Sequence, residues 1–194
     1  MPAEEPRHAW DGGSGSGLHS AAVTAPIEIH RARAEHAAAL ASIYDEGIAT
    51  GAATFATGPH SAAERQAWLA ARPARAPVFV AEREGVVLGW SALAPFSHRP
   101  WYSGVAEYTV FIAAAGRRSG VGRLMLDHLI ASAPGLGYWK LVGMILSDNA
   151  AGVALARAAG FRVVGVHRAH ARLGGRWRDV TVLERHLDGE AASV

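Results

Sequence analysis

Glu107-Tyr108-Thr109-Val110-Phe111-Ile112 runs through Ala113 to Gly116 into Arg117-Arg118-Ser119-Gly120-Val121-Gly122-Arg123. The chain then continues Leu124-Met125-Leu126-Asp127-His128-Leu129-Ile130. The first six residues are apolar and β-prone, the middle is basic and carries glycine, and the last run has helical spacing. The pattern predicts a strand, a turn, and a helix whose first turn holds both glycines. Such a helix start aims several unpaired backbone N–H groups at one point, beside the positive end of the helix dipole. With Arg117, Arg118 and Arg123 alongside, the fitting guest is a phosphate or pyrophosphate. The bland alternative is an ordinary turn on a solvated basic surface, and the spacing alone favours neither. No Gly-Lys-Ser/Thr follows, so the Walker pattern does not fit, and the third glycine of the dinucleotide fingerprint is missing.

Upstream of this stretch, residues 1–25 carry Pro2, Pro6 and a Gly/Ser tract from Gly12 to Gly17, a composition expected of a flexible extension. Ile27 and Ile29 alternate with polar neighbours as a half-buried strand. From Glu35 the apolar positions shift to helical spacing, ending near Gly47 or Gly51. Ser61 with Glu64 three residues on is a capping box for a helix through Trp68 and Leu69. Val78–Ala81 and Val86–Ala92 flank Arg83-Glu84-Gly85 as a hairpin.

Downstream, Pro134 to Gly137 is a stop signal, and Lys140 to Leu146 reads as a buried strand. Asn149 opens a helix that Gly160 terminates. Two strands, 161–166 and 177–183, are joined through Gly174-Gly175. The order is strand, two helices, three strands, helix, strand, helix, two strands. A domain over residues 26–188 with a short tail, 189–194, accounts for the chain.

The 194 residues carry a net charge of only +2 with scattered arginines, a poor match to nucleic acid. No cysteine occurs, which excludes disulfides, thiolate metal sites and a cysteine nucleophile. No apolar run reaches membrane-span length, and no signal peptide is evident, so a cytoplasmic location is expected. His167 and His170 fall on a strand at i and i+3, which points them to opposite faces and argues against joint chelation. No His-Glu-x-x-His or Gly-x-Ser-x-Gly occurs either, and no metal is expected.

The spacing Arg117-x-x-Gly120-x-Gly122 between strand and helix resembles the coenzyme A signature of the GNAT acetyltransferase superfamily, and the element order is similar over residues 27–187. Further stretches resemble the phosphinothricin N-acetyltransferase branch: Ala53-Thr54-Phe55, Arg99-Pro100-Trp101-Tyr102, Glu107-x-x-Val110-Phe111-Ile112 and Gly175-x-Trp177-x-Asp179-Val180. Ser103 departs from the branch, which often carries arginine there, and Ser97-His98 is a second variable point. The resemblance implies an α/β GNAT fold, with a central mixed, mostly antiparallel sheet of six to seven strands flanked by about four helices. It implies acetyl transfer from acetyl-CoA to the primary amine of a small amino acid such as phosphinothricin, methionine sulfone or sulfoximine. A protein N-terminus or another small amine is an alternative acceptor, and a non-catalytic CoA-binding module a different class. A homodimer is implied as well.

By the same resemblance, Val110, Phe111 and Ile112 pair with the pantetheine arm, as one strand adds to another. The pyrophosphate falls to Arg117, Arg118, Ser119, Gly120, Val121, Gly122 and Arg123, and Asn149 either caps its helix or binds the cosubstrate. Acceptor contacts are implied for Phe55, Ser97, His98, Arg99 and Tyr102, and for Glu107, Tyr108 and Thr109 on the strand. Arg99 can grip an α-carboxylate bidentately. Glu107 is the candidate general base, directly or through water, once burial raises it; the alternative is that it orients the ammonium.

Overall fold

The computed structural model describes residues 25–187; the expected extension up to residue 24 and the expected tail lie outside the described residues. The elements are β1 (Glu28–Arg31), α1 (Ala37–Ala49), α2 (Ala62–Ala70), β2 (Val78–Arg83), β3 (Val86–Pro95) and β4 (Val105–Ile112), followed by α3 (Val121–Ser132), β5 (Lys140–Leu146), α4 (Ala150–Ala158), β6 (Arg162–Leu173) and β7 (Arg176–His186). Their order is the one read from the sequence. The seven strands form one sheet in the order β1-β2-β3-β4-β5-β7-β6. Every neighbouring pair is antiparallel except β4 with β5.

Local chemistry explains the boundaries. Ser61 Oγ accepts the Glu64 N–H at 3.2 Å while Glu64 Oε2 accepts the Ser61 N–H at 2.7 Å, the reciprocal cap that starts α2. Gly160, at φ +83, ends α4. Gly174 and Gly175 both have positive φ, as the tight turn joining β6 to β7 requires.

Side-chain alternation splits the core between the two faces of the sheet. Leu93, Tyr108, Leu141 and Leu183 face α3 and α4, where they meet Val121, Met125, Leu126 and Leu129. Val80, Trp90, Ala92 and Phe111 face the other way, toward Leu40 and Ile43 of α1 and the half-buried Trp68 and Leu69 of α2.

Three expectations need correction. Gly120 lies outside the helix: it is the N-cap in the left-handed region, φ +85, and only Gly122 falls in the first turn of α3. The last two strands are longer than the spans 161–166 and 177–183, because the hairpin ladder carries both beyond the core. There β6 is exposed on both faces, so its residues show no apolar alternation to read. Finally, His167 and His170 do not point apart. The register slips between His167 and Ala171, Ala169 takes φ +46, and the two rings meet edge to face with centroids 4.9 Å apart.

Candidate active site

The parallel pairing of β4 with β5 lasts for three positions: Val105 with Lys140, Ala106 with Leu141, and Glu107 with Val142. Beyond Glu107 and Val142 the strands run on to Ile112 and Leu146 without pairing to each other. The sheet therefore parts in its middle, and a cavity of about 670 Å³ reaches into the gap. Tyr108, Thr109, Val110 and Phe111 wall it from β4, and Met144, Ile145, Leu146 and Asn149 from β5 and the start of α4.

Glu107 stands at the last paired position, where the strands begin to part. It shares a sheet face with Thr109 and Phe111, and across β3 it lies opposite Ala94, with Ala92 opposite Thr109. Two alanines facing two larger residues leave a hollow, and Trp90 stacked on Phe111 at 4.9 Å closes one end of it. Tyr44 of α1, Arg65 and Trp68 of α2, and Arg72 just beyond the end of α2 line the same cavity. Burial pushes the Glu107 carboxyl above its ordinary range. A half-buried carboxylate of raised pKa beside a cavity is suited to taking a proton near neutral pH.

The remaining strand residues divide by face. Tyr108 turns to the α3 side, packs on Phe161 at 5.0 Å, and burial drives its hydroxyl pKa upward. A Cβ at Gly143 would lie 2.7 Å from the Tyr108 ring, so that glycine is what lets β5 approach it. Ile112 is not in the cavity wall; it lies under the following turn, against Gly89, Gly116 and Gly122.

The turn after β4 has the predicted open donors. Among the described residues, no backbone N–H from Arg118 through Arg123 finds an acceptor; the first helical bond is Leu124 N–H to the Gly120 carbonyl at 3.1 Å. Arg118, at φ +60, and Gly120 hold the loop in a left-handed bend that exposes these groups. Ser119 Oγ donates to the Gly116 carbonyl at 2.7 Å and braces the bend. The arginines differ. Arg117 bonds the Ile112 carbonyl at 3.3 Å and lies 3.8 Å from Glu46. Arg123 gives its donors to Asp127, at 2.7 Å, and to the Ala158 carbonyl, at 2.8 Å, joining α3 to α4.

Asn149 Oδ1 accepts the Gly152 N–H at 2.9 Å, which is the helix cap. Its Nδ2 makes no hydrogen bond among the described residues, and the residue lines the cavity, so capping and ligand binding use different atoms. Phe55 also lines the cavity, and Thr54 beside it bonds the Tyr44 hydroxyl at 3.0 Å. Ser97, His98, Arg99 and Tyr102 are not in the wall. They belong to the β3–β4 loop, where Arg99 and Tyr102 are exposed and Ser97 Oγ accepts the Arg99 N–H at 3.3 Å.

Sequence reasoning missed the α2 wall. Arg65 and Trp68 stand at i and i+3, one face of a helix, with Arg72 two residues past its end, and the i, i+3 spacing was the available signal. It also missed the place of His170 beside the cavity, which depends on the bulge in β6.

Comparison with known proteins agrees with the fold. A family model described as an acetyltransferase (GNAT) domain matches residues 29–182. The phosphinothricin N-acetyltransferase of Streptomyces viridochromogenes is 32% identical over 163 residues, spanning 84% of this chain and 89% of that protein. The L-methionine sulfoximine/L-methionine sulfone acetyltransferase of Pseudomonas paraeruginosa is 32% identical over 149 residues, spanning 76% of this chain and 87% of that protein. Among solved structures, a GNAT phosphinothricin acetyltransferase from Sinorhizobium meliloti in complex with acetyl-CoA superposes with a TM-score of 0.80 at 28% identity, covering 87% of this chain and 91% of that one.

Proposed function

Because the chain belongs to the GNAT acetyltransferase family, we propose that it moves the acetyl group of acetyl-CoA to the primary amine of a small amino-acid-like acceptor. Phosphinothricin, methionine sulfone and methionine sulfoximine are the acceptor class that its relatives' names support. The observation that carries the reading is Glu107, half-buried and raised in pKa, at the point where β4 and β5 part beside the cavity.

The residues fit an acetyl-CoA molecule on two counts. The bend from Arg118 to Arg123 offers unpaired N–H groups to a pyrophosphate, with Arg117 and Arg118 adding positive charge. The unpaired stretch of β4 offers backbone groups to the amides of an extended pantetheine arm. When bound, acetyl-CoA supplies an activated thioester. The chain's own work is to hold the amine beside Glu107 and to take its proton there, directly or through water. The neutral amine then has the lone pair that acyl transfer needs. Ala92 and Ala94 leave room for the acceptor, and Phe55, Thr109 and the α2 residues exclude water around it. Assembly as a homodimer belongs to the same proposal, and sedimentation velocity checks it.

The deciding experiment measures thiol release from acetyl-CoA over a panel of phosphinothricin, methionine sulfone, methionine sulfoximine, the common amino acids and a peptide with a free N-terminus. Turnover concentrated on the first three supports the reading. Turnover on the peptide alone, or thiol release with no amine, rejects it.

A further inference from the structure

Arg65 is 7% exposed, yet among the described residues it forms no ion pair and its Nε, sealed from solvent, meets no acceptor. Its guanidinium lies 4.1 Å over the Tyr44 ring, 5.4 Å from that of Trp68 and 5.8 Å from that of Trp90. Aromatic faces offset part of the cost of burying the charge, but they satisfy the plane of the guanidinium and leave its N–H edges unused. An unpaired cation is among the most costly groups a protein interior can hold. Arg65 also lines the cavity on the sheet face that carries Glu107.

The other cationic candidates are already engaged or lie elsewhere. Arg72 donates from Nε to the Ala76 carbonyl at 2.8 Å and from Nη2 to the Leu93 carbonyl, which ties the segment after α2 to β3. Arg99, the residue expected from the sequence to hold a carboxylate, is exposed and outside the cavity wall.

We propose that Arg65 is the receptor for the acceptor's α-carboxylate, the anion that phosphinothricin, methionine sulfone and methionine sulfoximine share, and so a specificity-determining residue of this site. Resting on the acetyltransferase reading, this assigns the acceptor's orientation. The anion meets the planar fork of Arg65 under α2, and the amine turns toward Glu107. Stacking on Tyr44 fixes the plane of the fork, so little rotamer freedom is lost when two parallel N–H···O bonds form. Arg65 touches the acceptor but takes no part in proton transfer. Its loss therefore falls on acceptor affinity more than on turnover.

The test compares wild type, Arg65→Gln and Arg65→Lys at saturating acetyl-CoA, with methionine sulfone and its methyl ester as acceptors. Arg65→Gln is expected to raise the KM for the free acid by roughly ten- to a hundred-fold, the range for a lost charge-assisted bidentate pair. The KM values for the ester and for acetyl-CoA stay where they are, and Arg65→Lys recovers part of the loss on the acid. A variant that loses acid and ester equally, or neither, overturns the proposal. If Arg65→Gln does not unfold cooperatively, Arg65→Lys carries the comparison, because it keeps the charge and removes the fork. If wild type acetylates none of these amines, the acetyltransferase reading fails separately. In that case N-acetylmethionine sulfone and its methyl ester are titrated into the CoA-loaded protein. An acid preference weakened in Arg65→Lys supports the assignment, and one as strong as in wild type, or no binding of either, overturns it.

Discussion

Glu46 of α1 accepts the backbone N–H of Ala114 through Oε2 at 2.6 Å, across 68 positions of sequence. The same carboxylate lies 3.8 Å from Arg117 Nη2. The first residues after β4 are thus pinned to the opposite layer before the chain bends into its row of open donors. One hydrogen bond of this kind is worth about 1 kcal/mol, or roughly five-fold in an equilibrium. Glu46→Ala is expected to weaken CoA binding by about that factor, while Glu46→Gln, which still accepts the bond, loses less. Calorimetric titration of both variants checks the order, and equal affinities for all three proteins would refute it.

Replacing Glu107 by Gln keeps the shape and removes the proton acceptor. Turnover is expected to fall by about 10²–10⁴-fold with CoA binding unchanged. The acidic limb of the wild-type rate profile lies above the ordinary carboxylate range, because burial raises Glu107, and the variant lacks it. Stability moves the other way. A carboxyl raised in the folded state contributes stability below its unfolded pKa and loses it as pH rises through the folded value. Glu107→Gln is therefore expected to melt higher than wild type at neutral pH, and the difference to vanish in acid. Wild-type turnover in the variant sinks the role as base.

The two glycines of the bend have separable jobs. Gly120 has φ +85 and open space around its Cβ position, so a side chain there meets no atom but strains the backbone. Gly120→Val is expected to cost about 1–2 kcal/mol and to weaken CoA binding markedly, because the donors it exposes move. A Cβ on Gly122 would lie 3.3 Å from Leu155 Cδ2 and 3.6 Å from Ile112 Cγ1. Gly122→Val is expected to overpack the α3–α4 contact, at about 1–3 kcal/mol, with the smaller effect on affinity. Denaturant midpoints read beside CoA titrations test this division, and identical profiles for the two variants would refute it.

Glu184 on β7 gathers Lys140 Nζ of β5 at 2.5 Å and the Arg162 guanidinium of β6. Burial pushes its carboxyl up, but the hydrogen bonds and charges of Lys140 and Arg162 outweigh that and hold it below the ordinary range. A depressed carboxyl contributes stability above its unfolded pKa and loses it as pH falls through the folded value. Glu184→Gln is expected to cost about 2 kcal/mol at neutral pH, between the exposed and buried cases. Thermal melts should show the two proteins converging in acid, and a constant difference at every pH would count against the pairing.

How much of this could be read from the chain follows its physics. The order of elements was legible because Ile27 with Ile29, the Ser61–Glu64 cap, Gly160 and the Gly174-Gly175 turn are local signals whose meaning does not depend on distant residues. The bend at Gly120 was legible for the same reason, apart from which side of the helix boundary it occupied. The α2 wall was not, because Arg65 means little until Tyr44, Trp68 and Trp90 close around it. Arg99 drew attention through a short motif, yet its loop stands outside the wall. The bulge that joins His167 to His170 follows from a left-handed Ala169, a residue type that gives no warning of positive φ.

Among the described residues, three ladder positions between β4 and β5 are the only strand pairing between the β1–β4 half of the sheet and the β5–β7–β6 half. A ligand laid along the open part of that seam acts as a splint, bridging two leaves that backbone pairing joins at one end alone. Its occupancy then enters the folding equilibrium by mass action, adding about 2.7 kcal/mol at a hundred times its Kd. Part of the rigidity across the seam then depends on occupancy, and each turnover, by releasing the splint, withdraws that part.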